Sequence, residues 1–70
     1  MAKIIIKLNG EKKEIQQGTI LDLINSYKLL PSEIIIELNE KIIHQTMYEK
    51  QTISPNDSIE IIRYIGGGKN

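Results

Sequence analysis

The stretch KIIIKLNG, residues 3–10, decides the fold. Every second residue from Ile4 to Leu8 is Ile or Leu, and this period of two predicts a strand with one buried face. The asparagine and glycine that follow tolerate the positive φ angles of a tight type I′ turn. The stretch therefore predicts a β-hairpin, whose second strand covers 11–16 and carries mostly charged side chains.

A short amphipathic helix is predicted after the hairpin. The Thr19 hydroxyl can cap its first turn, and Asp22 lies near its positive end. Apolar residues follow helical spacing over 20–27. The helix must end before Pro31, because proline lacks a donor N–H and disfavours helical geometry in the residue before it.

The second half of the chain predicts another hairpin and a final strand. Its elements are, in order, a strand (34–38), a turn (39–41), a short return strand (42–44), a loop or single helical turn (45–52) and a last strand (58–65). Within the loop, Met47 and Tyr48 are expected to pack inward. The last strand follows a Ser-Pro-Asn-Asp turn and is strongly apolar.

This order of elements, ββαβββ with one helix, predicts an α+β fold. One short helix is too little for a helical bundle or a doubly wound parallel sheet. The helix would cross a mixed sheet of four to five strands, with the last strand in the middle and parallel to the first. This is the β-grasp, or ubiquitin-like, architecture. We expect a domain over 1–65 and a flexible glycine-rich tail over 66–70, since glycine loses the most freedom on ordering.

Composition limits the function classes. Seventy residues form one domain with a thin core and no deep pocket, so an enzyme is not expected. Nine basic residues balance nine acidic ones, which removes the electrostatic case for nucleic acid. The chain has no cysteine and one histidine, so no metal site or bound cofactor is expected, and no stretch suits a membrane helix. A monomer in the cytoplasm, or in a plastid stroma if organelle-encoded, is predicted.

The glycine run after the last strand is the most unusual local feature, and it belongs to a wider set of motifs. These motifs are Leu8-Asn9-Gly10, Gly18-Thr19-Ile20 with Asp22-Leu23, Asn39, Asp57 with Ile59-Glu60-Ile61-Ile62, and Arg63-Tyr64-Ile65-Gly66-Gly67-Gly68. In these motifs, over residues 3–68, the chain resembles the ubiquitin-like sulfur carriers. It is most similar to the ThiS family of thiamine biosynthesis.

The resemblance implies a protein substrate and not a catalyst. In the family, an E1-like enzyme uses ATP to adenylate the terminal glycine carboxylate. A cysteine desulfurase system then supplies sulfur to form a thiocarboxylate, which donates it to thiazole synthase. The matching residue here is Gly68, with Gly66 and Gly67 as the slender segment that threads into the partner. Lys69 and Asn70 lie beyond it, so they are trimmed, block the chemistry, or are a cloning remnant.

A docking surface is predicted on the open face of the sheet. If Ile59 faces the helix, Ile62 and Tyr64 point to the opposite face, joined by Ile5 from the neighbouring strand. An exposed apolar patch beside the tail is typical of a protein-binding site. Scattered surface residues, or burial under the loop after the second hairpin, are the alternative.

The sequence also fits other functions. Molybdopterin-type and tRNA-thiolation-type sulfur carriers share the tail and its mechanism. A β-grasp interaction module without sulfur chemistry, or conjugation to a target lysine, would use the same fold differently. His44, Glu33 and Glu37 are expected to be solvated side chains, and no catalytic residue is assigned in this chain.

Overall fold

The computed structural model describes residues 2–63 and shows one mixed sheet packed on one α-helix. Its elements are β1 (Lys3–Leu8), β2 (Glu11–Gln16), α1 (Ile20–Ser26), β3 (Ile34–Leu38), β4 (Lys41–Ile43) and β5 (Ser58–Arg63), with 3-10 turns at Pro31–Glu33 and Gln45–Met47. The strand order is β2-β1-β5-β3-β4, with β1 and β5 parallel and the other pairs antiparallel. The predicted order of elements and the β-grasp architecture are confirmed. The predicted domain boundary after residue 65 lies outside the described residues.

Both hairpins turn through an asparagine with left-handed backbone. Asn9 and Gly10 have φ angles of 49° and 85°, and Asn39 and Glu40 have φ angles of 52° and 72°. Two consecutive positive φ angles match the twist of the flanking antiparallel strands. The second turn therefore contains two residues and not the three predicted, and β4 begins one residue earlier, at Lys41.

Helix α1 begins where the sequence predicts, with a reciprocal cap at its first turn. The Asp22 N–H donates to Thr19 Oγ1 at 3.2 Å, and the Thr19 N–H donates to Asp22 Oδ2 at 2.9 Å. Two main-chain donors of the first turn are thereby satisfied. The loop before β5 satisfies another donor, because the Leu21 N–H bonds the Tyr48 carbonyl at 2.8 Å.

The end of α1 lies well before the proline that limits it. The helix stops at Ser26, because Lys28 adopts a φ of 58° and the Leu29 N–H donates back to the Ile24 carbonyl at 3.1 Å. This bond across a left-handed residue closes the last turn as a Schellman motif. Pro31 instead starts the 3-10 turn that leads into β3.

The core lies between α1 and the inner face of the sheet, and it consists of isoleucine and leucine with one tyrosine. Its buried members are Ile4, Ile6, Leu8, Ile20, Leu23, Ile24, Ile34, Ile36, Leu38, Tyr48, Ile53 and Ile59. Tyr48 is 4% exposed, as predicted, but Met47 is 42% exposed, so the prediction that Met47 packs inward is wrong. Successive side chains of a 3-10 turn diverge by about 120°, so Met47 turns to solvent when Tyr48 faces the core.

Between residues 2 and 63, no helix is both long and apolar enough to cross a membrane. The same part of the chain holds no cluster of three or more His, Asp or Glu side chains with the arrangement of a metal site.

Candidate partner-binding surface

Strand β5 positions the predicted site, because it lies at the centre of the sheet and its last residue, Arg63, is three residues before Gly66 in the chain. The described residues end at Arg63. The predicted site residues Tyr64, Gly66, Gly67 and Gly68, together with Lys69 and Asn70, lie outside the described residues. What the structure does describe is the surface of the sheet around β5, up to Arg63.

Two exposed isoleucines lie side by side at the end of β5. Ile62 is directly opposite Ile35 of β3 in the antiparallel register, and the two side chains are 40% and 37% exposed. Side chains opposite each other in such a pair have Cβ atoms about 4.5–5.5 Å apart. Ile35 and Ile62 therefore form one apolar surface on the open face of the sheet, named here the Ile35–Ile62 surface.

Ile5 lies on the same open face, but the structure does not bring it next to Ile62. Its side chain is 51% exposed, and its carbonyl accepts from the Asn56 N–H at 2.8 Å. Ile5 is two residues before Lys7, which lies opposite Ser58, and Ser58 is four residues before Ile62. Ile5 and Ile62 are therefore separated by six residues, or about 20 Å, along the strand direction. The neighbour of Ile62 is Ile35, which the sequence analysis missed.

A fourth exposed isoleucine extends this face towards the edge of the sheet. Ile42 of β4 is 70% exposed and, like Ile35, lines a shallow depression of about 230 Å³ that also contains the exposed His44. The signal for these residues was present in the sequence. Ile35 stands between two core residues of β3, so alternation places it on the open face.

Charges of opposite sign occupy different parts of the open face. Glu37 of β3 is directly opposite Glu60 of β5, next to the Ile35–Ile62 surface. Lys7 of β1 is directly opposite Lys12 of β2. Over residues 2–63 neither Glu37 nor Glu60 forms an ion pair. The centre of the face is therefore acidic and its β1–β2 side is basic, a pattern that favours a partner surface of defined charge.

Comparison with known proteins gives the family. The ThiS family model matches residues 6–68. The sulfur carrier protein ThiS of Bacillus subtilis is 38% identical over 66 residues, which cover 91% of this chain and 100% of that protein.

Two further similarities concern a longer protein and a solved structure. A thiazole synthase of Magnetococcus marinus is 30% identical over 66 residues, covering 93% of this chain but 20% of that protein. The crystal structure of the thiamine biosynthesis protein ThiS from Geobacter metallireducens matches with a TM-score of 0.80 at 19% identity, covering 93% of this chain and 100% of that one. The Geobacter structure shows the fold alone. The family model and the similarity to the Bacillus protein show that this chain belongs to the ThiS family.

Proposed function

We propose that this chain carries sulfur for the formation of the thiazole of thiamine, with the carboxyl group of Gly68 as the carrier group. The observation that carries the proposal is the family match over residues 6–68, which includes all three consecutive glycines and ends on Gly68. The 38% identity to a sulfur carrier over that protein's whole length supports it.

The chemistry belongs to the carboxyl group, and the catalytic groups belong to partners. An E1-like enzyme joins the Gly68 carboxylate to the α-phosphate of ATP and releases pyrophosphate. A persulfide of a cysteine desulfurase system then displaces AMP from the acyl-adenylate and forms an acyl disulfide. A second thiol, such as that of free cysteine, attacks the outer sulfur of this disulfide, which releases the thiocarboxylate and leaves the two thiols joined as a disulfide. Gly66 and Gly67 have no Cβ, so they suit a narrow channel to the ATP. In this scheme the chain is a substrate and not an enzyme.

Lys69 and Asn70 must leave before this chemistry begins. The carboxyl group of Gly68 is an amide carbonyl while Lys69 follows it, and an amide has no carboxylate to attack ATP. A peptidase that cleaves between Gly68 and Lys69 would expose the reactive group. We propose this trimming step as part of the function.

The open face of the sheet supports a docking role. Ile62 of the Ile35–Ile62 surface is four residues before Gly66 in the chain, and Glu37 and Glu60 beside this surface would attract a basic partner surface. Ile62 and Tyr64 remain proposed contacts, whereas Ile5 would contact a separate part of the same partner. The similarity to one fifth of a thiazole synthase supports that enzyme class as the sulfur acceptor.

Mass spectrometry tests the proposal directly. The form covering 1–68, incubated with an E1-like enzyme, a cysteine desulfurase, cysteine and ATP, should gain the mass difference of one sulfur replacing one oxygen. The full chain 1–70 is the matched control and should stay unmodified. Absence of ATP-dependent pyrophosphate exchange with the 1–68 form would contradict the proposal. Transfer to a molybdopterin precursor or a tRNA, but not to thiazole synthase, would favour the alternative carriers.

The intact mass of the protein from its natural source tests the trimming step. A chain that ends at Gly68 would support trimming, and a fraction carrying sulfur in place of oxygen would support the whole scheme. A chain that ends only at Asn70, without modification, would instead favour an interaction module whose tail takes no part in chemistry.

A further inference from the structure

Strand β5 has six residues, of which five pair with β3 on one side and two pair with β1 on the other. Its register with β3 runs from Ile59 to Arg63, whereas its register with β1 covers Ser58 and Ile59. Beyond that point β1 turns away at Asn9 into the first hairpin. In the described part of the chain, the second half of β5 therefore has an edge without a neighbouring strand.

Main-chain groups of β5 point to this open edge. The Ile61 N–H faces the β1 side, where it donates to Asn9 Oδ1 at 2.8 Å. Residues two apart in a strand direct their main-chain groups the same way, so the N–H and carbonyl of Arg63 face this edge too. Within residues 2–63, no strand accepts the Arg63 N–H or donates to the Ile61 carbonyl. The Arg63 N–H and the Ile61 carbonyl are therefore a donor and an acceptor to which an added strand can hydrogen-bond.

An apolar groove runs beside the edge, on the side of the sheet that carries α1. It has a volume of about 310 Å³ and is lined by Leu8, Asn9, Tyr27, Leu29, Ile61 and Arg63. The Tyr27 side chain is 45% exposed, and Leu29 and Ile61 are only partly buried. A side chain from a strand added to β5 would enter this groove, since alternate residues of a strand point to the same face.

The two outer edges of the sheet are poor sites for an added strand. Five of the six residues of β2 are exposed, and four of the six are Lys or Glu. Strand β4 has only three residues. Charged and short edge strands discourage pairing with other chains. Depressions also adjoin β2 and β4, so the charge of β2 and the short length of β4 are what set these two edges apart from that of β5, which combines unpaired main-chain groups with an apolar groove.

We propose that this edge, formed by Ile61–Arg63 and the groove beside it and named here the β5 edge, binds an extended segment of a partner protein as an added strand. An apolar side chain of that segment fills the groove next to Tyr27. An acidic side chain pairs with the exposed Arg63, which forms no ion pair within residues 2–63. Main-chain bonds supply affinity and the groove supplies selectivity, as in other strand-addition sites.

The position of the β5 edge suggests what the added strand does. Arg63 is five residues before Gly68, so a partner bound here would hold the chain close to the reactive segment. This role rests on the proposed function, whereas the strand addition itself does not. The β5 edge lies in the plane of the sheet and the Ile35–Ile62 surface on its open face, so one partner can engage both.

A phage-displayed library of random nonapeptides, selected on the immobilised full chain, tests the proposal without any sulfur chemistry. We expect selected peptides that combine an apolar residue with a nearby Asp or Glu. On titration, amide resonances should shift at Ile61 and Arg63, with ring shifts at Tyr27, and exchange of the Arg63 amide should slow. No selected peptide, or shifts confined to the Ile35–Ile62 surface, would overturn the proposal.

Two substitutions at one position separate main-chain pairing from charge. Arg63→Pro removes the N–H that faces the edge, and its fixed φ is tolerated at strand edges. Arg63→Ala removes the charge but keeps the N–H. We expect Arg63→Pro to weaken peptide binding about tenfold beyond Arg63→Ala, the effect of about one hydrogen bond. Equal binding by the two variants would exclude an added strand.

Two further measurements keep the proposal open to refutation. If Arg63→Pro unfolds, the wild-type chain is titrated with synthetic copies of a selected peptide that are N-methylated at alternate residues. One of the two methylation patterns should abolish binding, and equal binding by both would overturn the proposal.

The occupant is also tested by sedimentation of the free chain. A concentration-dependent dimer with the same resonance shifts would show that a second copy occupies the β5 edge, against the partner segment proposed here.

Discussion

Glu37 and Glu60 lie directly opposite each other in β3 and β5, and neither forms an ion pair in the described part of the chain. Like charges in directly opposed positions destabilise a sheet. The pair adjoins the Ile35–Ile62 surface, where a docked partner would cover it. A Lys or Arg of that partner would relieve the repulsion, so the arrangement favours binding at the expense of the free protein's stability.

Replacing one of these carboxylates should therefore stabilise the free protein. We expect Glu60→Gln to raise the free energy of unfolding by about 0.2–1 kcal/mol, because the repulsion across the strand pair disappears. Urea denaturation measures the change. Glu33→Gln is the matched control, since Glu33 is exposed and lies outside the strand pairs. A gain of the same size in both variants would show that net charge, and not the opposed pair, sets the effect.

The side chain of the turn asparagine in each hairpin accepts a hydrogen bond from β5. We expect the two asparagines to differ in how much they contribute to stability. Asn39 donates to Asp57 Oδ1 at 3.1 Å and accepts from the Ser58 N–H at 2.9 Å, whereas the Asn9 side chain accepts one bond, from Ile61. Glycine keeps the positive φ at either position, so Asn39→Gly and Asn9→Gly remove only these side-chain bonds.

At about 0.5–1.5 kcal/mol for each bond, we expect Asn39→Gly to destabilise the protein more than Asn9→Gly. Thermal and urea unfolding of the two variants provide the measurement. The reverse order would mean that the bond from Ile61 at the open β5 edge outweighs both bonds at the second hairpin.

The second hairpin carries a residue in an unfavourable backbone conformation. Glu40 has a φ of 72°, where a residue other than glycine is strained by about 1–2 kcal/mol. Glu40→Gly should relieve this strain and, after the entropy that glycine loses on folding, stabilise the protein by about 0.5–1 kcal/mol. Lys41→Gly, in β4 next to it, should destabilise instead. A loss of stability in Glu40→Gly would show that the side chain makes a contribution larger than the strain.

Gly18 is constrained by the helix cap. A Cβ on Gly18 would lie 2.5 Å from Asp22 Oδ2, which accepts the Thr19 N–H. We expect Gly18→Ala to destabilise the wild-type protein by about 1 kcal/mol through disruption of the cap. In an Asp22→Ala background the same change should have a much smaller effect. A double-mutant cycle by urea unfolding measures the coupling, and additive effects would argue against this clash.

Alanine substitutions of two isoleucines of β5 should separate an effect on stability from an effect on partner binding. Ile59 is fully buried, so Ile59→Ala should lower the free energy of unfolding by about 2–5 kcal/mol. Ile62→Ala removes a side chain on the open face that is 40% exposed, so we expect a much smaller loss of stability and a clear loss of affinity for the E1-like partner. Calorimetric titration gives the affinity. Unchanged affinity in Ile62→Ala would remove the Ile35–Ile62 surface from the docking site.

Local interactions explain why so much of the fold was predictable from the sequence. The alternation over 3–8, the Asn9-Gly10 turn and the cap between Thr19 and Asp22 each depend on residues within a few positions of one another. Such patterns determine which elements form and which face of each is buried. The left-handed Lys28 that ends α1 early had no such signal, because lysine rarely adopts this conformation.

The sequence by itself determined the elements, their buried faces and the motifs that mark the family. The tertiary structure alone decided which exposed residues are neighbours. Ile35 lies beside Ile62, whereas Ile5 is separated from Ile62 by six residues along the strand direction. The tertiary structure also leaves the second half of β5 with an open edge. The physical reason is the two-residue period of a strand. A shift of two residues keeps every side chain on its proper face, so the pattern leaves the register open until the packing of the core and the long connection to β5 select one.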